Sequence, residues 1–278
     1  MPEIPEIRGH TERLTAEFAG AELKSVQALS FTTLKTFSPA PNDAYGRILD
    51  RIDQRAKYLI LRFGDLSFVV HLMQGGRLKP DEKQSKKPRG GMVRWTFTDG
   101  RALLLTEPGT ERRAGVWVVQ GDLETQEPVD HLGPEATALN SRELQALFGE
   151  HSMRIHGFLR DQRILSGLGR RLANEICHRA GISPFAQTSK LTEADAEVLV
   201  DTIDAVVEES LAFEREQTEM KNAKDRVSAV HSRAGEPCPV CKDEVRAVEY
   251  RKYTVNYCAT CQTGGKILAD NTTSKFLK

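Results

Sequence analysis

Cysteine placement constrains this chain more than any other feature. Four of its five cysteines fall in two C-x2-C pairs, Cys238-Pro239-Val240-Cys241 and Cys258-Ala259-Thr260-Cys261, with sixteen residues between the pairs. Each pair forms a tight turn that aims two sulfurs at one point, and the intervening VRAVEYRKYTVNY alternates as a hairpin does. The spacing predicts one structural Zn2+ held by Cys238, Cys241, Cys258 and Cys261. Four thiolates leave no open position for water, so this metal would fold a module and not catalyse. A disulfide framework is excluded, because cysteines so few and so bunched cannot staple 278 residues. Cys177, at an apolar position of LANEICHRAG, reads as a buried core thiol.

Ahead of the cysteines the apolar pattern changes period twice. KYLILRF (Lys57 to Phe63) and SFVVHLM (Ser67 to Met73) are runs of strand length joined by Gly64-Asp65, and MVRWTFT and RALLLT flank the hairpin signal Asp99-Gly100. With GVWVV (Gly115 to Val119), these runs predict an antiparallel sandwich or barrel, preceded by a helix over Pro5 to Phe18. Lys79 to Gly91 is polar and rich in Pro and Gly, a mobile loop by composition, and Gly121 to Thr137 reads as a linker. Helical spacing then takes over at Ser141 to Phe148, Gly169 to Ala180 and Thr192 to Phe213. The reading is an α+β chain with an N-terminal antiparallel β-sandwich at 1–125, a helical domain at 138–228 and a zinc-finger hairpin with extension at 229–278.

Formal net charge is zero, yet the charges are segregated. Thr192 to Met220 holds ten acids and one base, whereas Arg77 to Arg113 holds ten bases and five acids, and Met153 to Arg179 six bases and two acids. Such basic segments keep a polyanionic partner open. No apolar run approaches the about 18 to 20 residues of a membrane span. MPEIPEIRGHTERL lacks the basic cap and apolar stretch of a signal peptide, which points to a cytoplasmic protein with no membrane partner.

Six further motifs run in order along the chain: MPEIPE, QRAKYLIL, HLMQGG, RRAG, HLGPEA and SGLGRRLANEICHRAGISP, followed by GEPCPVC. Together they resemble the formamidopyrimidine-DNA glycosylase / endonuclease VIII family over nearly all of the chain to Cys261. The resemblance implies a helix-two-turn-helix, a zinc finger, and a monomer that repairs double-stranded DNA carrying damaged bases or abasic sites. Loss of Met1 would give Pro2 a secondary α-amine, and α-amino groups titrate near about 7.7 to 8.0, so a useful fraction is nucleophilic at neutral pH. Such an amine can attack a sugar C1′ and form an iminium, as a lysine Schiff base does. In this reading Pro2 is the nucleophile, Glu3 moves protons at the sugar and Glu6, one helical turn on, holds the geometry. Lys57 is catalytic in the sense of holding a phosphate beside the lesion, with His71 as a hydrogen-bond donor there.

The chain also departs from the family pattern. Arg170 stands where asparagine is common after the glycine turn, and Tyr253 where the finger hairpin commonly has arginine, which leaves Arg251 or Lys252 to substitute. Ala114 replaces the phenylalanine wedge in RRAG, so Met73, Gln74 and Arg113 become the candidates for filling the void left by an extruded base. The segment Lys221 to Ala234 is short for a cover over an oxidised purine. QTGGKILADNTTSKFLK reads as a tail packed on the finger. The function expected is a base excision repair glycosylase with abasic-site lyase activity, favouring oxidised pyrimidines and formamidopyrimidines. The alternative is a non-catalytic damaged-DNA-binding protein of the same descent; an RNA-binding zinc ribbon fits less well, because clustered stacking aromatics in the finger are limited to Tyr250, Tyr253 and Tyr257.

Overall fold

A computed structural model describes residues 1–220, 225–250 and 253–268. The chain divides into two compact units, one formed by Met1–His131 with a return segment that begins at Glu214, the other by Leu132–Phe213 and the C-terminal part.

The first unit begins with helix α1 (Ile4–Phe18), which Pro5 enters without loss because the first turn has no use for its missing N–H. Two four-stranded antiparallel sheets follow. One has the order β1 (Leu23–Ala28), β6 (Gly91–Phe97), β7 (Ala102–Thr106), β5 (Arg77–Pro80); the other runs β2 (Arg51–Arg55), β3 (Tyr58–Phe63), β4 (Leu66–His71), β8 (Gly115–Gln120). Period-2 alternation decides which side chains meet: Leu59, Leu61 and Phe63 of β3 join the same core as Trp95 and Phe97 of β6 and Leu103 and Leu105 of β7. Phe68 meets Trp95 edge to face at 5.8 Å between the sheets, and Phe18 of α1 lies 5.5 Å from Phe97. Each such aromatic pair adds about 0.5 to 1.5 kcal/mol beyond its area burial. The β6–β7 hairpin turns at Asp99-Gly100, where Gly100 has φ +89.

One expectation of slack is corrected by packing. The polar stretch after Gly76 contributes β5, and Asp81 just beyond it forms a buried ion pair with Arg94 at 2.8 Å. The stretch expected as a linker contains the division between the two units, between His131 and Leu132, and carries helical turns at Leu123–Thr125 and Ala136–Ala138.

The second unit holds α2 (Ser141–Glu150), α3 (Ile155–Phe158), α4 (Arg170–Arg179) and most of α5 (Glu193–Arg215), then the hairpin β9 (Val245–Tyr250) and β10 (Tyr253–Cys258) and the short α6 (Ala259–Thr263). Asn140 and Glu143 cap α2 reciprocally, at 3.0 and 2.9 Å. Helix α4 buries Leu172, Ala173, Ile176 and Cys177. Burial pushes the Cys177 thiol up to about 12, the behaviour of an inert core residue. Beyond the finger, Leu268 donates its N–H to the Tyr257 hydroxyl at 2.8 Å and packs beside Tyr257 and Val248; the extension from residue 269 lies outside the described residues.

Candidate functional site

In the first unit the chain terminus is folded into the protein. Pro2 is buried, Glu3 and Glu6 are 6% and 1% exposed, and Met1 projects to solvent. Glu3 caps α1, and its N–H donates to Glu6 Oε2 at 2.8 Å, so the second carboxylate fixes the backbone that carries the first. Lys57 belongs to the tight connection between β2 and β3, where Ala56 adopts φ +51 and Gln54 Nε2 donates to the Ala56 carbonyl at 2.8 Å. Only 5% of Lys57 is exposed.

His71 ends β4, opposite Tyr58 and Gly115. Its ring packs 4.7 Å from the Tyr58 ring, and its Nδ1 accepts the Met73 N–H at 3.2 Å. Burial first, then the positive charges of Lys57 and of the chain's amino terminus, lower this imidazole to about 4. The terminus, Lys57 and His71 thus share one electrostatic site, with His71 neutral at physiological pH.

The three candidates for filling a void, Met73 and Gln74 after β4 and Arg113 before β8, differ in setting. Met73 takes a left-handed backbone (φ +53) with its sulfur 2.8 Å from His71 Nδ1, and Gln74 is exposed. A side chain at Gly76 would place Cβ 2.3 Å from the Leu72 carbonyl, so glycine is required where this turn closes. Arg113 is exposed and paired with Glu111 at 3.1 Å. Ala114 is fully buried, and its N–H donates to Glu107 Oε2 at 2.7 Å. Glu107, 6% exposed, closes the base of the loop that presents Arg112 and Arg113. Sequence reasoning missed it; an isolated acid ending the apolar run LLLT was its only signal.

In the second unit Arg170 is the exposed first residue of α4, after a glycine turn in which Gly167 has φ +100 and Gly169 caps the helix. Gln162 braces that turn: Oε1 accepts the Gly167 N–H at 3.0 Å while Nε2 donates to the Leu168 carbonyl at 2.8 Å. Nothing in the sequence singled it out. Tyr253 stacks on Tyr250 at 4.7 Å, and the Arg160 guanidinium sits 4.3 Å above the Tyr253 ring. Arg251 and Lys252, expected to substitute for a hairpin arginine, lie outside the described residues, as do residues 221–224. What is described of the following stretch is tied to α4, because the Glu175 carboxylate accepts the N–H groups of Ala229, Val230 and His231 at 2.6, 3.0 and 2.8 Å.

The four cysteines of the paired motifs converge, with all Sγ atoms within 4.8 Å of one another. Cys241 and Cys258 are 3.3 Å apart and Cys238 and Cys261 3.9 Å. A tetrahedral ion with metal–sulfur bonds of about 2.3 Å separates its sulfurs by about 3.8 Å, so the cluster fits one metal ion. Lys242 takes φ +68 to turn the first knuckle, and Asp243 Oδ2 accepts the Thr260 hydroxyl at 2.9 Å, joining it to the second. His178 Nε2 lies 3.3 Å from Cys238 Sγ, an orienting contact from α4.

Comparison with known proteins places these features in a family. Residues 1–117 match the formamidopyrimidine-DNA glycosylase N-terminal domain and residues 132–222 the formamidopyrimidine-DNA glycosylase H2TH domain. An uncharacterized formamidopyrimidine-DNA glycosylase-like protein of Mycobacterium tuberculosis is 39% identical over 155 residues, 53% of this chain and 94% of the relative. The formamidopyrimidine-DNA glycosylase of an Enterobacter strain is 29% identical over 94% of this chain and 100% of its own length. Among solved structures, the Lactococcus lactis enzyme non-covalently bound to DNA containing an abasic site superimposes with a TM-score of 0.83 at 20% identity, over 94% of this chain and 100% of that one. The same enzyme with DNA containing an oxidised pyrimidine gives 0.84 at 20% identity, with the same coverage of 94% and 100%. With both domains matched in order and the fold shared, this chain belongs to the formamidopyrimidine-DNA glycosylase family.

Proposed function

We propose that this protein is a bifunctional DNA glycosylase and abasic-site lyase that works through an iminium at Pro2. The observation that carries the reading is the convergence in the first unit of a buried terminal Pro2, the paired carboxylates Glu3 and Glu6, and the cationic site shared with Lys57 and His71. Removal of Met1 frees the Pro2 amine. That nitrogen attacks C1′ of a nucleotide extruded from the stack, the glycosidic bond breaks, and the base leaves with the bonding pair and a proton. The iminium acidifies C2′–H. Loss of that proton expels the 3′-phosphate, and a second elimination expels the 5′-phosphate. Glu3 is placed to shuttle these protons, and Lys57 and His71 to hold the flanking phosphate.

The four-cysteine cluster fits one structural Zn2+, which would secure the finger and supply no step of the reaction. Its hairpin, with Arg170 at the start of α4, is the DNA-gripping part of the second unit, and the working form is a monomer. No described helix is long and apolar enough to cross a membrane, and DNA as substrate assigns the protein to the cytoplasm and nucleoid.

The lesions are oxidised pyrimidines and formamidopyrimidines. Ala114 is buried and cannot wedge, and the short stretch after residue 220 is held to α4 at 229–231 by Glu175. Both features favour bases that stack poorly and so are cheap to extrude. Single-turnover rates on duplexes carrying thymine glycol, formamidopyrimidine, an abasic site or 8-oxoguanine opposite cytosine test this. Fastest excision of 8-oxoguanine would refute the lesion assignment, and inactivity on all four would refute the enzyme assignment.

A further inference from the structure

Residues 29–36, which follow β1, are stitched onto two strands, β6 and β8. Leu29 and Ser30 donate their N–H groups to the Met92 carbonyl at 2.8 and 3.2 Å. The fully buried Thr33 accepts the Val116 N–H at 2.9 Å, and its hydroxyl lies 3.8 Å from Met92 Sδ. Lys35 then donates its N–H to the Val116 carbonyl at 2.8 Å, and Thr36 Oγ1 accepts the Val118 N–H at 2.7 Å, so the stretch runs parallel to β8. Within it the Ser30 carbonyl accepts the Thr33 N–H at 3.3 Å, which closes a β-turn with Phe31 and Thr32 at its tip.

This anchored turn holds Phe31 wholly in solvent, at 106% relative exposure, and Phe37, after Thr36, is 98% exposed. Among the described phenylalanines these two alone are exposed. Turn tips ordinarily carry small or polar residues, and a phenyl ring on a fixed base has all of its burial free energy still to gain from a partner. The two rings have different neighbours. Lys35 Nζ donates to the Thr32 carbonyl at 2.5 Å, and a side chain at Gly115 would place Cβ 3.0 Å from Lys35 Cε. Phe31 therefore stands at the Gly115 end of β8, which pairs with His71 and is preceded by the exposed Arg112 and Arg113. The cations Lys35, Arg112 and Arg113 outnumber Glu111 beside them. Phe37 lies toward the opposite end, where Asp65, which accepts from Gln120, and Asp122 offset Arg47.

We propose that Phe31 is an aromatic wedge that enters the base stack of duplex DNA beside the damaged nucleotide, with Lys35, Arg112 and Arg113 on the adjoining phosphates. An apolar ring on a rigid turn among cations matches a stacked polyanion, and proteins open duplexes by inserting such side chains between base steps. An apolar protein surface would cover the ring and leave the three cations unmatched. Phe37, equally exposed but without that surplus of positive charge, takes no part. This assignment rests on the glycosylase reading above and makes Phe31 a residue that distinguishes a damaged duplex from an intact one.

The test compares two affinities of full-length protein by fluorescence anisotropy: for a duplex carrying a tetrahydrofuran abasic analogue, and for the same duplex intact. Phe31→Ala should lower the ratio of the two by about tenfold, the effect of one lost base–aromatic stack. Phe37→Ala should leave the ratio unchanged. Phe31→Trp should also keep it, and should add an indole emission that the tetrahydrofuran duplex quenches by stacking. Both affinities come from one sample, so any unfolded fraction cancels. An unchanged ratio in Phe31→Ala, an equal fall in Phe37→Ala, or no quenching in Phe31→Trp overturns the assignment while the glycosylase reading stands. Wild-type protein that binds the two duplexes alike and cannot cleave a true abasic site overturns that reading and this assignment with it.

Discussion

Acidification from pH 7.5 to pH 5 should destabilise the first unit through two histidines, the buried His10 and the partly buried His71. His10 and His71 are each held at about 4 by burial and by neighbouring cations, Arg13 and Arg77 for the former, Lys57 and the amino terminus for the latter. In the unfolded chain an imidazole titrates at about 6.5. Between those values the unfolded state binds protons that the folded state refuses, so stability is complete above about 6.5 and falls as pH drops toward 4. At pH 5 the linkage amounts to about 2 kcal/mol for each histidine, or about 4 kcal/mol for the pair. Against a typical domain stability of about 5 to 15 kcal/mol, that is a large loss. Both tryptophans, Trp95 and Trp117, lie in the first unit, so urea titrations followed by tryptophan fluorescence isolate its unfolding. The doubly substituted His10→Gln, His71→Gln protein should lose less than about 1 kcal/mol over the same interval. Equal losses in wild type and double variant would refute the assignment of neutral imidazoles.

Three further outcomes are expected. Cys258→Ser should lower bound zinc from about one ion per chain to near none and weaken DNA binding while leaving the tryptophan-monitored melt of the first unit unmoved; metal analysis and fluorescence together check this. Lys57→Ala and Arg170→Ala, if each removes one phosphate contact, should each reduce the slope of log affinity against log salt by about 0.9, as read by fluorescence anisotropy from 50 to 200 mM salt. Glu107→Ala leaves the Ala114 N–H buried and unpaired, which should cost about 1 to 3 kcal/mol in urea titration, whereas Glu107→Gln, which keeps an acceptor, should cost less.

Features fixed by local pattern were legible in the sequence. Alternation in KYLILRF and SFVVHLM, the Asp99-Gly100 turn and the paired cysteines led to β3, β4, the β6–β7 hairpin and the metal-sized cluster. Each depends on neighbours a few residues away or on a repeat that announces itself. Features made by side chains that meet only through packing were not legible. Asp81 meets Arg94 across the sheet, Glu107 meets the Ala114 backbone, and Glu175 reaches three amides more than fifty residues on. His10 looked like one more polar residue of an amphipathic helix, and only its burial against Leu78 gives it a defined tautomer. The departures at Ala114 and Tyr253 were visible as missing side chains. What took their place, a closed loop base and an aromatic shelf under Arg160, required the packing.

The central claim is that the Pro2 nitrogen forms the covalent intermediate, and borohydride trapping on an abasic duplex tests it most directly. Protein shown by mass spectrometry to have lost Met1 should yield a stable protein–DNA adduct that peptide mapping places at Pro2. The same chain with Met1 retained behind an uncleaved tag should yield none. Equal trapping with Met1 in place, or an adduct mapped to Lys57, would contradict the account.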